Sequence, residues 1–356
     1  MAKGTIYETE RVFMRDPRSG LTVTRLTHSS CIAQNLYFEM CSFTKDDAYV
    51  VLISQRYAGR DAPWDLFRIR TDGHELIQLT ECDDLSGIVF SPAQSKFFYQ
   101  SKGELHRLDV HTLKDEAFAK APGANAVSPR SLATIDENGA AYIGSVFNDK
   151  GEALIFKTDT ANGKTSVLHS TTSLVHLHVD PQGKTLFFID HKENTGPSLI
   201  DTDGKNLRPY PFRKFSHHTW FGKTGLMQGT LVPPGAALVT VREGDPEPVI
   251  LAEGRYYWHS SASVDAQWII SDTNWPQEGL FLLHVPTRTV TYVCDTRSSC
   301  SHPQWSHPHP ALSPTMKYVL YNSDMTGIGQ VYLANLTEEF LEKASRGYTC
   351  QPTLLA

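Results

Sequence analysis

The chain has 356 residues, 40 % of them hydrophobic and 20 % charged, a globular composition with room for one large core or two small ones. Its 33 basic and 39 acidic residues give a net charge of -6 and form no basic stripe, so no nucleic-acid partner is expected. No run approaches membrane-spanning length, and no membrane association is expected.

The chain opens MAKGTIYETERVFMRD, without an apolar segment, so no secretory leader is expected. Cys31, Cys41, Cys82, Cys294, Cys300 and Cys350 are scattered, with neither CxxC pairs nor a compact framework. That usage points to reduced thiols and a cytoplasmic location.

In chain order the sequence is a string of short β-type runs separated by turns; only LTEEFLEKAS near the end reads as helix. A loose repeat recurs about every 40 residues. The clearest copy, residues 36–80, reads strand, Asp-rich turn, strand, loop, strand, Asp-Gly turn, strand. Further copies begin at Ile88, near Ser128, and at His176, His217 and His259; the seventh is HPHPALSPTMKYVLYNSDMTGIGQVYLANL. This last copy has three strands, and the N-terminus has a spare one in SGLTVTRLT, preceded by Asp16. A terminal strand that completes the last unit is how a ring of four-stranded sheets removes its open edges. The expected fold is therefore an all-β, seven-bladed propeller, one domain over residues 1–356, with residues 1–30 joined to the last blade. Six or eight blades is the alternative, because the third and fifth copies are irregular.

The stretch SHPQWSHPHP places Gln304, His307 and His309 within six residues. Imidazoles two apart on an extended strand point the same way, and the prolines disfavour helix. Two imidazoles and an amide oxygen are a partial shell for Mn²⁺, Fe²⁺ or Zn²⁺; a Pro/His-rich surface loop is the other reading.

Register links this stretch to other blades. His309 lies five positions before Pro314, and His176 five before Pro181. His259 and His217 lie five before Val264 and Gly222, which fill the proline slot. In the looser third copy Arg130 falls five before Ile135, while the first two copies carry Met40 and Gly87. Equal register on innermost strands means equal height, so these side chains should ring one mouth of the central channel.

These residues resemble the oligogalacturonate lyases, seven-bladed propeller polysaccharide lyases that depend on a divalent metal, usually manganese. The resemblance runs nearly end to end, from DPRSGLTVTRLT through NLYFEMCSFTKDDAYVVLISQR to the last repeat, and is most specific in Q-x-x-H-P-H-P, here Gln304, His307 and His309. It implies that these three and His259 bind the metal: Mn²⁺ first, with Fe²⁺, Zn²⁺ or Ni²⁺ as alternatives. It implies a base in an H-x-x-W motif, which His217 and Trp220 fit, with His218 as the rival neighbour. Arg130 is an expected substrate-binding residue; His176 is expected to bind substrate or assist the leaving group, with a structural histidine lining the channel as the other reading. The family's fourth-blade arginine has no counterpart in Gly196–Leu199; Lys192, Arg208, Arg213 and Arg255 are the candidates to replace it.

The chemistry implied is β-elimination at a small acidic, uronate-containing oligosaccharide, with a metal on the carboxylate and a neutral histidine as base. Two alternatives stand beside it: a related metal-binding propeller enzyme with another uronate or oxidised-sugar substrate, and a non-catalytic propeller that binds sugars or proteins. The absence of a G-x-S-x-G elbow and of an α/β domain argues against a propeller-capped peptidase. Asp272 and Asp324 read as turn residues that bond backbone.

Overall fold

A computed structural model describes residues 2–347 apart from 56, 60, 124–130, 149, 191–195, 211 and 213–214. The strands form seven antiparallel sheets, five of four strands and two of five. Blade 1 runs outward from Ala33–Gln34 through Tyr49–Gln55, Trp64–Arg70 and Leu76–Gln78. Blades 2 to 6 begin on the innermost strands Ser86–Ser91, Ala133–Ile135, Leu174–Val179, Phe215–Trp220 and Tyr257–Ala262. Blade 7 begins on Ala311–Leu312 and continues through Tyr318–Ser323 and Gln330–Asn335.

The ring closes as the sequence indicates. Thr22–Arg25 pairs with the third strand of blade 7, with Val23 opposite Ala334 and Arg25 opposite Tyr332. Val12–Arg15 adds a fifth strand outside it. The first residues go elsewhere: Ile6–Tyr7 edges blade 1 by pairing with Leu76 and Ile77, so the N-terminal segment spans both sides of the junction. Asp16 fastens it to blade 6, accepting from the Tyr292 hydroxyl at 3.1 Å and the Asp295 N–H at 3.0 Å. The expected C-terminal helix forms over Glu338–Ser345, capped by Thr337, whose hydroxyl accepts from the Phe340 N–H.

The strands carry continuous apolar runs because each sheet is covered on both faces. Consecutive residues go to different cores. Phe187 packs between blades 4 and 5 while Phe188 packs between blades 3 and 4. Phe97 and Phe98 divide in the same way between the interfaces on either side of blade 2. Among the described residues there are seven such clusters, one for each junction of the ring.

The inner strands share one device. Each ends in a turn whose first residue bonds back to the next strand: the N–H groups of Thr44, Asp136, Asp180, Phe221, Ser263 and Ser313 donate to carbonyls five residues on. Four residues before that turn the chain bulges. The pairing slips at Gly87, at His176, across His217–His218 and across Trp258–His259. Gly87, His176, His217 and His309 take φ of +51°, +54°, +54° and +45°. A bulge with a left-handed residue turns a side chain that would lie across the sheet, and histidine tolerates that backbone better than a branched residue. In blade 2 the slot needs glycine: the Gly87 carbonyl accepts from the buried Tyr142 hydroxyl at 2.7 Å, and a Cβ would collide with that hydroxyl and with Gln100. In blade 3 the turn begins at Asp136, so the slot belongs to Leu132. Arg130, read from the sequence as its occupant, stands two residues earlier and lies outside the described residues.

Leu26, fully buried at the junction of blades 7 and 1, should be worth about 2–5 kcal/mol when cut to alanine. Deleting residues 1–27 should remove cooperative unfolding altogether, because it exposes strand edges on both sides of the junction. Thermal melting followed by circular dichroism checks both; a truncated chain with the full-length profile would place the closure elsewhere.

Candidate functional site

The segment His307-Pro308-His309-Pro310 enters the channel from blade 7. Its prolines contribute no N–H, so it cannot form an ordinary ladder, and its carbonyls must find donors elsewhere. Two buried asparagines supply them. Asn322 donates from its side chain to the His307 carbonyl at 3.3 Å and from its backbone to the Pro308 carbonyl at 2.8 Å. Asn35 donates to the His309 carbonyl at 2.7 Å, and the two amides bond each other at 3.0 Å. The backbone carrying both imidazoles is thus fixed from blades 1 and 7 together.

His259 arrives from blade 6. Its ring lies 4.4 Å from that of His309 and 5.7 Å from that of His307, centroid to centroid. One ligand atom from each of the three lies within 4.8 Å of the others, and all three residues are buried. Asp272 holds His259 twice, accepting from its N–H at 2.6 Å and lying 2.8 Å from its Nδ1. Asp272 is therefore the orienting partner of an imidazole, not the turn-bonding residue expected from the sequence. Asp324 does bond a loop backbone, accepting from Ser299 N–H at 2.8 Å.

The electrostatics suit a cation. Burial pushes all three imidazoles below their ordinary pKa, with the neighbouring histidines adding to the shift at His259 and His309. All are neutral donors at neutral pH. Burial raises the Asp272 carboxyl to about 7, against the pull of the His259 N–H. Nδ1 of His307 and Nε2 of His309 are buried without a protein partner, and buried polar atoms rarely stay so. A divalent ion would satisfy them, and a carboxylate behind one ligand is the usual outer support of such a site. The donor set fits a metal. Gln304 is exposed, at the start of a 3₁₀ turn whose Gln304 carbonyl accepts from the His307 N–H at 2.9 Å.

His217 stands one blade from His259, with ring centroids 4.6 Å apart. Its Nδ1 lies 3.2 Å from the Ser216 hydroxyl. Burial, and next the proximity of His259, lower its pKa to about 3. The adjacent His218 turns the other way, buried with its ring 5.0 Å from that of Phe187 at the junction of blades 4 and 5. Trp220, which completes the H-x-x-W motif, does not hold His217 by a hydrogen bond. Its indole instead bonds the His178 carbonyl at 3.4 Å, and Trp258 is the tryptophan edge-on to His217, at 6.0 Å.

A second group lies across the channel. Glu39, on the loop between the first two strands of blade 1, reaches His176 and His178 of blade 4. His176 Nδ1 makes a short contact with one carboxylate oxygen, and His178 Nε2 lies 3.2 Å from the other. Burial alone would raise the Glu39 carboxyl, but the two imidazoles outweigh it and hold the group well below the usual carboxylate range. For His176 burial lowers the pKa, and Glu39 outweighs it to raise the pKa above its ordinary value. A cavity of about 300 Å³ towards the C-terminal ends of the inner strands borders Glu39 and His178.

Sequence reasoning missed Glu39 and the aromatic neighbours of the site. Tyr37 and Phe38, on the same loop, pack against the histidines, Tyr37 at 4.3 Å from His309 and Phe38 at 5.1 Å from His259. Trp258 lies 4.4 Å from His307 and 6.1 Å from Trp275, which is 75 % exposed and stacks on Tyr256. An aromatic row thus leads from the surface to the three histidines. Two arginines proposed from the sequence are committed elsewhere: Arg208 to Asp201 and Glu243, and Arg255 to Glu278 at 3.0 Å. Lys192 and Arg213 lie outside the described residues.

No protein-family model matches the chain. An oligogalacturonate lyase of Dickeya dadantii (strain 3937) is 22 % identical over 392 residues, covering 95 % of this chain and 99 % of that protein. A structure of oligogalacturonate lyase in complex with manganese superposes with a TM-score of 0.80 at 21 % identity, over 96 % of this chain and 100 % of the other. The oligogalacturonate lyase of Vibrio parahaemolyticus gives 0.78 at 19 % identity, over 95 % and 100 %. The resemblance read from the repeats and from Q-x-x-H-P-H-P is borne out, and the chain shares the seven-bladed fold of these lyases along nearly its whole length.

Proposed function

We propose that the protein is a divalent-metal-dependent lyase that cleaves short uronate oligosaccharides of the oligogalacturonate type by β-elimination, leaving 4,5-unsaturated products. The observation that carries this reading is the convergence of three buried, neutral imidazoles, two of them with an unsatisfied nitrogen, and a fourth histidine one blade away. The oligogalacturonate lyases similar to this chain support the substrate class, and the manganese in one of them supports Mn²⁺ as the ion.

His259, His307 and His309 would hold the ion, and Gln304, three residues ahead of His307, is assigned as the fourth donor. A divalent ion held by these neutral ligands would supply Lewis-acid stabilisation to the uronate carboxylate. Asp272 fixes the His259 ring, and the Asn35–Asn322 pair fixes the backbone of His307 and His309. Elimination removes the proton from C5 and breaks the bond from C4 to the glycosidic oxygen. His217 takes the C5 proton: its Nδ1–H donating to the Ser216 hydroxyl leaves Nε2 as the acceptor, and the lowered pKa keeps that nitrogen unprotonated at any ordinary working pH. His176, in the same slot of the neighbouring blade, contacts the sugar. Tyr37, Phe38 and Trp258 exclude water around the histidines, which strengthens every charge interaction among them.

Elemental analysis of protein purified without chelator should give near-stoichiometric divalent metal, and the His307→Ala/His309→Ala double variant should give none. Asp272→Ala should weaken metal affinity by about 10–100-fold. Unchanged metal content in the double variant would overturn the ligand assignment.

His217→Asn tests the chemistry, since asparagine tolerates the +54° backbone that alanine would strain. The variant should keep its metal and lose about 10²–10⁴ in the rate of unsaturated-uronate formation on oligogalacturonate, followed by ultraviolet absorbance. Turnover near that of the unmutated protein would remove His217 from the reaction.

A further inference from the structure

Elimination at a glycosidic bond needs more than a base. The departing oxygen leaves with an electron pair as a sugar alkoxide, a poor leaving group unless a proton meets it. A donor must stand in the channel, carry a proton at working pH, and be separate from the base. The three histidines of the blade 6–7 cluster converge on one point and are assigned to the metal, so none of them offers one.

We propose that His176 is the general acid that protonates the leaving oxygen, and that Glu39 is the positioning residue that holds it as an imidazolium. This rests on the elimination reading above and extends it.

Four observations support the assignment. His176 and His217 occupy the same bulge slot on adjacent inner strands, with φ of +54° each, so both project into the channel at one level. Glu39 meets His176 at Nδ1, which orients the ring and leaves Nε2–H as the outward donor. The His176 side chain keeps 23 % of its surface exposed, so a sugar can reach it, whereas the carboxylate behind it keeps 11 %. The environments of the two histidines also differ in the required sense: nothing anionic touches His217, while a buried carboxylate touches His176. Pairs of titratable groups driven apart in this way mark an acid and a base. The other titratable groups facing His176 are His178 on its own strand, His218 and His217 of blade 5, and His259 of blade 6.

The ledger closes. The C5 proton goes to His217 and its electron pair forms the C4–C5 double bond. The C4–O bond breaks, and its pair leaves on oxygen, which takes the proton from His176 Nε2. One histidine ends protonated and the other neutral; exchange with solvent resets both. Glu39, His176 and His178 also have the make-up of a metal site. There Glu39 already meets His176 Nδ1, while His178 Nε2, 3.2 Å from the other carboxylate oxygen, makes no full hydrogen bond; the blade 6–7 cluster leaves two nitrogens without any protein partner.

The test varies the leaving group. Turnover is measured on a 4-linked galacturonate disaccharide and on a galacturonate carrying a 2,4-dinitrophenyl ether at O4, whose phenolate departs without a proton. His176→Asn, compatible with the left-handed backbone, should lose about 10²–10⁴ on the disaccharide and less than about tenfold on the aryl ether. His217→Asn should lose activity on both. Equal losses by His176→Asn on the two substrates would overturn the acid assignment while leaving the elimination reading intact. An unmutated protein that cleaves neither would overturn both. Should His176→Asn fail to fold, Glu39→Gln decides the matter: it removes the charge that favours the imidazolium, so the alkaline limb of kcat/KM against pH should move to lower pH. An unmoved limb would overturn the pairing.

Discussion

The site depends on one backbone constraint, the irregular backbone four residues before the turn that ends an inner strand, a pairing bulge in blades 2, 4, 5 and 6 and a left-handed residue at His309 in blade 7. An unbroken strand lays its side chains on the two faces of the sheet, where the neighbouring blades bury them. A bulge or a left-handed residue redirects a side chain: His176 and His217 have both, His259 the bulge and His309 the left-handed backbone. Such backbone costs of order 1–3 kcal/mol per residue, and it persists where the surroundings over-determine it. Here the turn bonds, the packed neighbouring blades and, at His307–His309, the Asn35–Asn322 pair do so. The fold supplies the slot seven times, and the identity of the residue in it decides what each blade contributes.

That division explains why the functional residues gather on one arc. Blades 4 to 7 fill the slot with histidine, whereas blades 1 to 3 fill it with Met40, Gly87 and Leu132. Blade 1 contributes by a different route. Its loop carries Tyr37, Phe38 and Glu39 into the channel, where two rings pack on the histidines and one carboxylate pairs with blade 4. The two histidine groups then behave oppositely for a simple reason. Burial with other histidines as neighbours pushes His309 below its ordinary pKa, whereas the Glu39 carboxylate lifts His176 above its own.

Much of this was legible in the sequence. Blade number and ring closure could be read because sheets covered on both faces produce short continuous apolar runs between turn residues, and because one blade lacked a strand that the N-terminus had to spare. The shared slot was legible because turn and bulge keep a fixed offset; that offset found His176, His217, His259 and His309 together. It failed in blade 3, where no proline marks the turn and the count began two residues early, giving Arg130 in place of Leu132. Asp272 was taken for a turn residue because its role depends on a partner on the neighbouring strand of the same blade. Glu39 was invisible for a stronger reason: its partner His176 is 137 residues away, and nothing in the local pattern of LYFEM marks a carboxylate bound for the far side of a channel.

The central claim is that the triad of blades 6 and 7, and not the carboxylate group of blades 1 and 4, is the metal centre. Anomalous diffraction at the manganese edge, from crystals grown with Mn²⁺ and no chelator, tests it most directly. The expected result is one strong peak with His259, His307 and His309 nitrogens at about 2.0–2.2 Å. A peak among Glu39, His176 and His178 with none at the triad would contradict the account.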